Sequence, residues 1–129
     1  MKFFSHLNEA LPASHLQLVG SALKEMGSYT QAAIAFYYAN DKNESFNLIN
    51  ISDRWDCLES WYQCISSVSL LEFICAAHHR QGQTAKRDMV KKLIGLPNLN
   101  QHNDRKYKLE IKTQKKLQFL RKLWRLYAE

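Results

Sequence analysis

The sequence predicts an all-α fold: a right-handed α-α superhelix of about three helical hairpins, closed by a long basic helix. Three observations lead there. Two prolines and four glycines punctuate 129 residues, and no alternating apolar and polar run is bounded by hairpin-type turns. Apolar residues recur at intervals of three and four, the spacing of one helix face. Ser-x-x-Gln or Ser-x-x-Glu boxes stand at Ser14, Ser28 and Ser69, where the two side chains can satisfy free N–H groups of a first helical turn. At 46% hydrophobic content the chain can bury one core, so residues 1–129 are expected to form a single domain.

The first element is a short amphipathic helix within residues 1–12, with Phe3, Phe4, Leu7 and Leu11 on its apolar side and Pro12 as its boundary. The first hairpin follows over residues 13–41. Ser14 and Gln17 open one helix, and Gly27 supplies the left-handed residue that ends it. Ser28 and Gln31 open the next, which folds back antiparallel and runs to Ala39. Leu16, Gly20 and Leu23 pack against Ala32 and Phe36, with Ala32 small enough to let the two backbones approach.

A shift of 26 positions carries this pattern onto Phe46, Ile49, Asp53, Trp55, Leu58, Tyr62 and Ile65. That predicts a second hairpin over residues 42–67, with helices at 43–51 and 53–65 and Ser52 or Asp53 capping the second. A third hairpin over residues 68–95 begins at the Ser69 and Glu72 box, carries Leu71 and Ile74, turns at Gly82 and continues through residues 84–94 until Gly95 and Pro97 stop it. Arg87 and Lys91 fall where the first hairpin has Ala32 and Phe36. The last helix of this hairpin is therefore expected to face solvent or a partner. Residues 96–103 form a polar linker.

The final element, residues 104–129, is a long helix capped by Asp104. Leu109, Leu117, Leu120, Leu123, Trp124 and Tyr127 mark its apolar stripe, and Lys108, Lys112, Lys115, Lys116, Arg121, Lys122 and Arg125 take the flanks and outer face. Charge is segregated: residues 1–60 hold four Lys/Arg against seven Asp/Glu, whereas residues 61–129 hold fourteen against five. Four roles fit such a helix. It can cap the open end of the helical stack. With Phe119 and Trp124 it can enter a calmodulin-type groove, and Leu117 and Gln118 begin an incomplete IQ-like pattern. Its nine Lys/Arg can engage nucleic-acid phosphates or an acidic protein. It can also lie on an anionic membrane surface.

Within residues 16–39 the order Leu16, Val19, Gly20, Leu23, Gly27, Tyr29, Ala32, Phe36 and Ala39 keeps the spacing of the W-x2-L-G-x2-Y…A-x3-F template. This stretch resembles a tetratricopeptide (TPR) repeat, and residues 46–94 resemble degenerate copies. Leu16 stands where the template has tryptophan, Glu44 where it closes on proline, and the apparent periods of 26 and 29 residues are short. The resemblance implies a non-enzymatic scaffold that holds a peptide or helix of a partner protein in its groove, possessing no cofactor and working as part of a larger assembly. Basic carboxylate clamps known in that family are not implied, since the corresponding first helices offer only Lys24, Asn43 and Asn47.

No residue pattern points to catalysis or a metal. Cys75, His78 and His79 lack a Cys-x2-Cys or His-x3-His partner, and adjacent residues on a helix point in different directions. His78 falls on a core-facing position, with His79 in solvent. Asp53, Asp56 and Glu59 suit the first turns of a helix, where its dipole favours acids. No glycine-rich phosphate loop is present. Three cysteines, Cys57, Cys64 and Cys75, read as small apolar residues in a reducing cytoplasmic setting. No apolar run reaches the ~20 residues a membrane span needs, and His6, Asn8 and Glu9 interrupt the start, so neither a signal peptide nor an anchor is expected. Tyr37, Tyr38 and Trp61 are the expected exposed groove aromatics, with Phe36, Trp55 and Tyr62 inside.

Overall fold

The computed structural model describes residues 12–51, 59–95 and 105–127. Seven helices and no strand occur among them. They are α1 (Ala13–Glu25), α2 (Tyr29–Tyr38), α3 (Lys42–Ile51), the single turn α4 (Glu59–Tyr62), α5 (Val68–Arg80), α6 (Thr84–Ile94) and α7 (Arg105–Tyr127). The expected helix before Pro12, the 96–103 linker, the caps at Ser52, Asp53 and Asp104, and Trp55, Asp56, Cys57 and Leu58 lie outside the described residues.

Helix α1 packs on α2, α2 on α3, α3 on α5 and α5 on α6. Each interface follows from the apolar spacing. Leu16, Gly20 and Leu23 form the buried stripe of α1. Leu70, Leu71, Ile74, Ala77 and His78 form that of α5. Helix α2 is covered on several sides, burying Thr30 to Phe36 without a break and then Tyr38, as a helix flanked by two neighbours must. Ser45, fully buried on α3, donates its hydroxyl to the Ala33 carbonyl at 2.7 Å. A small polar residue at that point lets α3 lie close against α2 while keeping its own hydroxyl satisfied.

Three turns between helices share one geometry. At Gly27, Asn40 and Gly82 the backbone enters the left-handed region, with φ of 80°, 64° and 73°. Each is closed by the same pair of reverse hydrogen bonds: Ser28 N–H to Leu23 O and Gly27 N–H to Lys24 O; Asp41 N–H to Phe36 O and Asn40 N–H to Tyr37 O; Gln83 N–H to His78 O and Gly82 N–H to His79 O. Glycine suits the position because it has no Cβ to clash, and asparagine tolerates it. The glycines are legible in the sequence; Asn40 repeats their turn without the glycine signal.

Helix starts differ from expectation. Helix α1 begins directly after Pro12, whose carbonyl accepts from the N–H groups of His15 and Leu16. Ser14 therefore sits inside the first turn and caps nothing. Gln17 instead donates to Asp41 Oδ2 at 2.9 Å, tying α1 to the start of α3. Ser28 holds the cap position of α2 without a side-chain bond, and Gln31, the expected return partner of the box, is buried and turned to α7. For α5 the cap is Ser67, whose Oγ accepts from Leu70 N–H at 3.2 Å, rather than Ser69. Asp41 caps α3 through Glu44 N–H at 3.2 Å.

Helix α4 ends at Tyr62, three residues before the expected Ile65. Cys64 and Ile65 are buried in the turn that follows. Helix α6 buries only Val90, which agrees with the expectation drawn from Arg87 and Lys91. Among the described residues no helix is long and apolar enough to cross a membrane.

Candidate functional site

The chain's own last helix packs on α2, on α4 and on the turn after α4, the side of the first two hairpins formed by their second helices. Phe119 of α7 is fully buried. Its ring lies 6.1 Å from Tyr38 and 5.7 Å from Trp61, the latter in edge-to-face geometry at 77°. Such aromatic pairs add ~0.5–1.5 kcal/mol beyond the area they bury. Leu120 and Leu123 complete the buried contact.

Polar contacts pin α7 along its length. Lys115 Nζ donates to the Gln63 carbonyl at 2.7 Å, and the Tyr127 hydroxyl donates to Gln31 Oε1 at 2.7 Å. Lys122 lies 5.2 Å from the Trp61 ring centre and Lys112 lies 5.8 Å from that of Tyr37. A cation over a ring face adds ~0.5–2 kcal/mol according to its desolvation. Lys116 is half-buried, and its pKa is lowered by burial and then by the neighbouring Lys112 charge.

This packing corrects two of the three expected groove aromatics. Tyr38 is only 4% exposed and Trp61 5%, because both form the seat for Phe119. The Tyr38 hydroxyl donates to the Cys64 carbonyl at 2.5 Å, and burial raises its pKa. Burial likewise pushes the Cys64 thiol up to about 11, an effect that Lys122 and Lys115 partly oppose. Tyr37 alone of the three stays half-exposed.

The apolar stripe of α7 is also rotated from the expected one. Leu120 and Leu123 are inside, but Leu109 is exposed, and so are Trp124 and Tyr127. Phe119 at the centre of the contact means that the calmodulin-groove reading would have to extract a core residue. The membrane reading meets the same obstacle at Leu120 and Leu123. Of the basic residues, Lys108, Arg121 and Arg125 are exposed, while Lys112, Lys115, Lys116 and Lys122 are half-buried along the hairpins.

One expected groove residue and two expected basic residues do meet. Tyr37, Lys108 and Lys112 line a cleft of ≈ 270 Å³ together with Ser66, Val68, Ser69 and Ile111. It lies where the end of α2, the start of α5 and the first half of α7 converge. Ser66 and Ser69 carried no functional signal in the sequence, since serine at a helix start reads as a cap.

The hairpin residues Leu16, Gly20, Leu23, Ala32 and Phe36 are all buried. His78 is fully buried, its Nε2 2.9 Å from the Tyr62 hydroxyl and its Nδ1 2.8 Å from Gln83 Oε1. His79 is exposed. Among the described residues, no group of three or more His, Cys, Asp or Glu side chains could hold a metal ion.

The model of the family described as INTS8, TPR repeats matches residues 18–127, from the first turns of α1 to the last residue of α7. The chain belongs to that family. The tetratricopeptide resemblance read from residues 16–39 is thereby shown, and α7 lies within the family unit. The chain is 29% identical over 104 residues to Integrator complex subunit 8 of Homo sapiens, and equally to that of Mus musculus. It is 31% identical over 105 residues to Integrator complex subunit 8 of Xenopus laevis. Each alignment covers 79% of this chain and 10% of the relative, so the chain spans about a tenth of the length of these curated relatives.

Proposed function

We propose that the chain is a non-enzymatic scaffold segment of a multi-subunit assembly of the Integrator type. Its hairpins hold α7 in cis, and the composite surface of α7 and the end of α2 receives a partner protein. The single observation that carries this reading is the seating of Phe119 between Tyr38 and Trp61. It fixes α7 against α2 and α4 and leaves Leu109, Arg121 and Arg125 exposed. The family relationship supports the scaffold role, since repeats of this kind act through shape and extended surface. A reducing intracellular compartment suits the unpaired thiols of Cys64 and Cys75.

The competing reading, nucleic-acid binding by the basic helix, is weakened by the use of Lys115 and Lys122 inside the fold. Capture of Integrator-type subunits by the intact chain, compared with retention on heparin across a salt series, separates the two. The scaffold reading expects capture that an Arg121→Glu, Arg125→Glu variant loses while its circular dichroism stays unchanged. Absence of capture by the folded chain, or steep salt-dependent retention on heparin abolished by the same variant, would overturn it.

A further inference from the structure

From the convergence of Lys108, Lys112, Tyr37, Ser66 and Ser69 on one cleft, we infer a binding site for a phosphate monoester, presented as a phosphorylated side chain of a partner protein. Lys108 and Lys112 are i, i+4 neighbours, so their side chains leave α7 on one face and reach the same cleft. Lys112 is held there by the Tyr37 ring, 5.8 Å from its ammonium. Two ammonium groups match the charge of a phosphate dianion, ≈ −1.5 to −2 near neutral pH.

Tyr37 and Ser69, which line the same cleft, carry hydroxyls that can donate to the phosphate oxygens, which accept several bonds at once, while the neighbouring Ser66 side chain already bonds Tyr38. The opening turn of α5, beginning at Val68, adds the positive end of a 13-residue helix. No carboxylate lines the cleft among the described residues. The lowered pKa of Lys116, one turn beyond Lys112, reflects burial first and the neighbouring Lys112 charge second.

Protein is favoured over nucleic acid as the source of the phosphate by the shape of the site. Its cations meet at one point instead of tracking a backbone, and Val68, Ile111 and the Tyr37 ring give the walls an apolar part that suits an aliphatic side chain. The source of the phosphate rests on the scaffold reading, whereas phosphate binding is measured without a partner, so either can fail alone.

The experiment titrates inorganic phosphate and O-phosphoserine into the isotope-labelled intact chain at constant ionic strength, with chloride as the control, and follows the amide signals of Tyr37, Ser66, Val68 and Ser69. Saturable shifts are expected with both phosphates and not with chloride. Lys108→Gln, Lys112→Gln should weaken binding about tenfold or more, the loss of two charge-assisted bonds, with an unchanged helical spectrum. Ser69→Ala, which retains both charges, should weaken it less. Shifts that fail to saturate, that appear equally with chloride, or that survive the double lysine variant overturn the site. Tighter binding of a single-stranded RNA without a terminal phosphate, lost in the same variant, overturns the protein source.

Discussion

Gly20 of α1 lies directly against the ring of Phe36 on α2: a Cβ at residue 20 would stand 3.0 Å from Phe36 Cε2 and Cζ. The close approach of the first two helices therefore depends on the missing side chain at Gly20 as well as on Ala32. Gly20→Ala gains ~1 kcal/mol of helix propensity. Overpacking against a buried ring costs ~1–3 kcal/mol, and Phe36, only 4% exposed, has little room to retreat. The net expectation is a destabilisation of ~1 kcal/mol for Gly20→Ala and more for Gly20→Val, measured as a lower urea midpoint. A midpoint equal to or above that of the parent would remove this contact from the account.

Ala32→Leu tests the same interface from the other side. Ala32 is fully buried, so the added atoms have no open space, and a loss of ~1–3 kcal/mol is expected. An unchanged melting curve would mean that the hairpin can separate without penalty.

Phe119→Ala should be among the most damaging changes in α7. Truncating a buried phenylalanine costs ~3–5 kcal/mol, and it uncovers Tyr38 and Trp61 together. The measurement is a denaturation curve with tryptophan emission, expected to shift to longer wavelength as Trp61 meets water. Trp124, 40% exposed, should cost clearly less when changed to alanine. The reverse ranking would place the anchor of α7 elsewhere.

Stability should fall at alkaline pH. The folded chain holds the Cys64 proton up to about 11, against an ordinary thiol value near 9. Between these limits the unfolded chain releases that proton and the folded chain keeps it, so unfolding is favoured as pH rises. The stabilisation is complete below about pH 9 and lost through about pH 11. Tyr38, also raised by burial, acts in the same direction. Cys64→Ala should flatten the decline between those pH values, and an equally steep decline in that variant would rule out the thiol as a contributor.

His78 should carry its proton on Nδ1. The Gln83 Oε1 atom 2.8 Å away can only accept, which leaves Nε2 of the neutral ring to accept from Tyr62, 2.9 Å away. Long-range nitrogen–proton correlation spectra distinguish the two tautomers. His78→Leu removes the bonds to the buried Tyr62 hydroxyl and the half-buried Gln83 amide and should cost ~1–3 kcal/mol.

The first hairpin is legible in the sequence because its signals are local: Gly27 forces the turn, and Leu16, Leu23, Ala32 and Phe36 keep a strict helical interval. The third is legible for the same reason at Gly82. The face of α7 is not. Residues 117–127 place Leu, Phe, Trp or Tyr on several sides of the helix, so periodicity alone admits more than one stripe. The expected stripe, Leu109, Leu117, Leu120, Leu123, Trp124 and Tyr127, shares Leu120 and Leu123 with the observed one but lacks Phe119 and includes the exposed Leu109, Trp124 and Tyr127. What decides between them is the pocket between Tyr38 and Trp61, made by residues more than fifty positions away. The helix caps fail for a smaller reason. Serines at positions 66, 67 and 69 are near-equivalent candidates, and the one that caps α5 is Ser67.

The pins of α7 also bear on how the chain is made. Lys115 reaches back 52 residues to Gln63 and Tyr127 reaches back 96 to Gln31. A ribosome delivers the hairpins well before the helix that covers them. Until residue 119 has emerged, Tyr38 and Trp61 have nothing to close over them, and a nascent or prematurely ended chain presents two aromatic rings to its surroundings. Transiently uncovered apolar surface of this kind attracts chaperones and invites aggregation. Truncation upstream of Phe119 should therefore be felt as poor recovery of soluble protein even though every hairpin is still encoded.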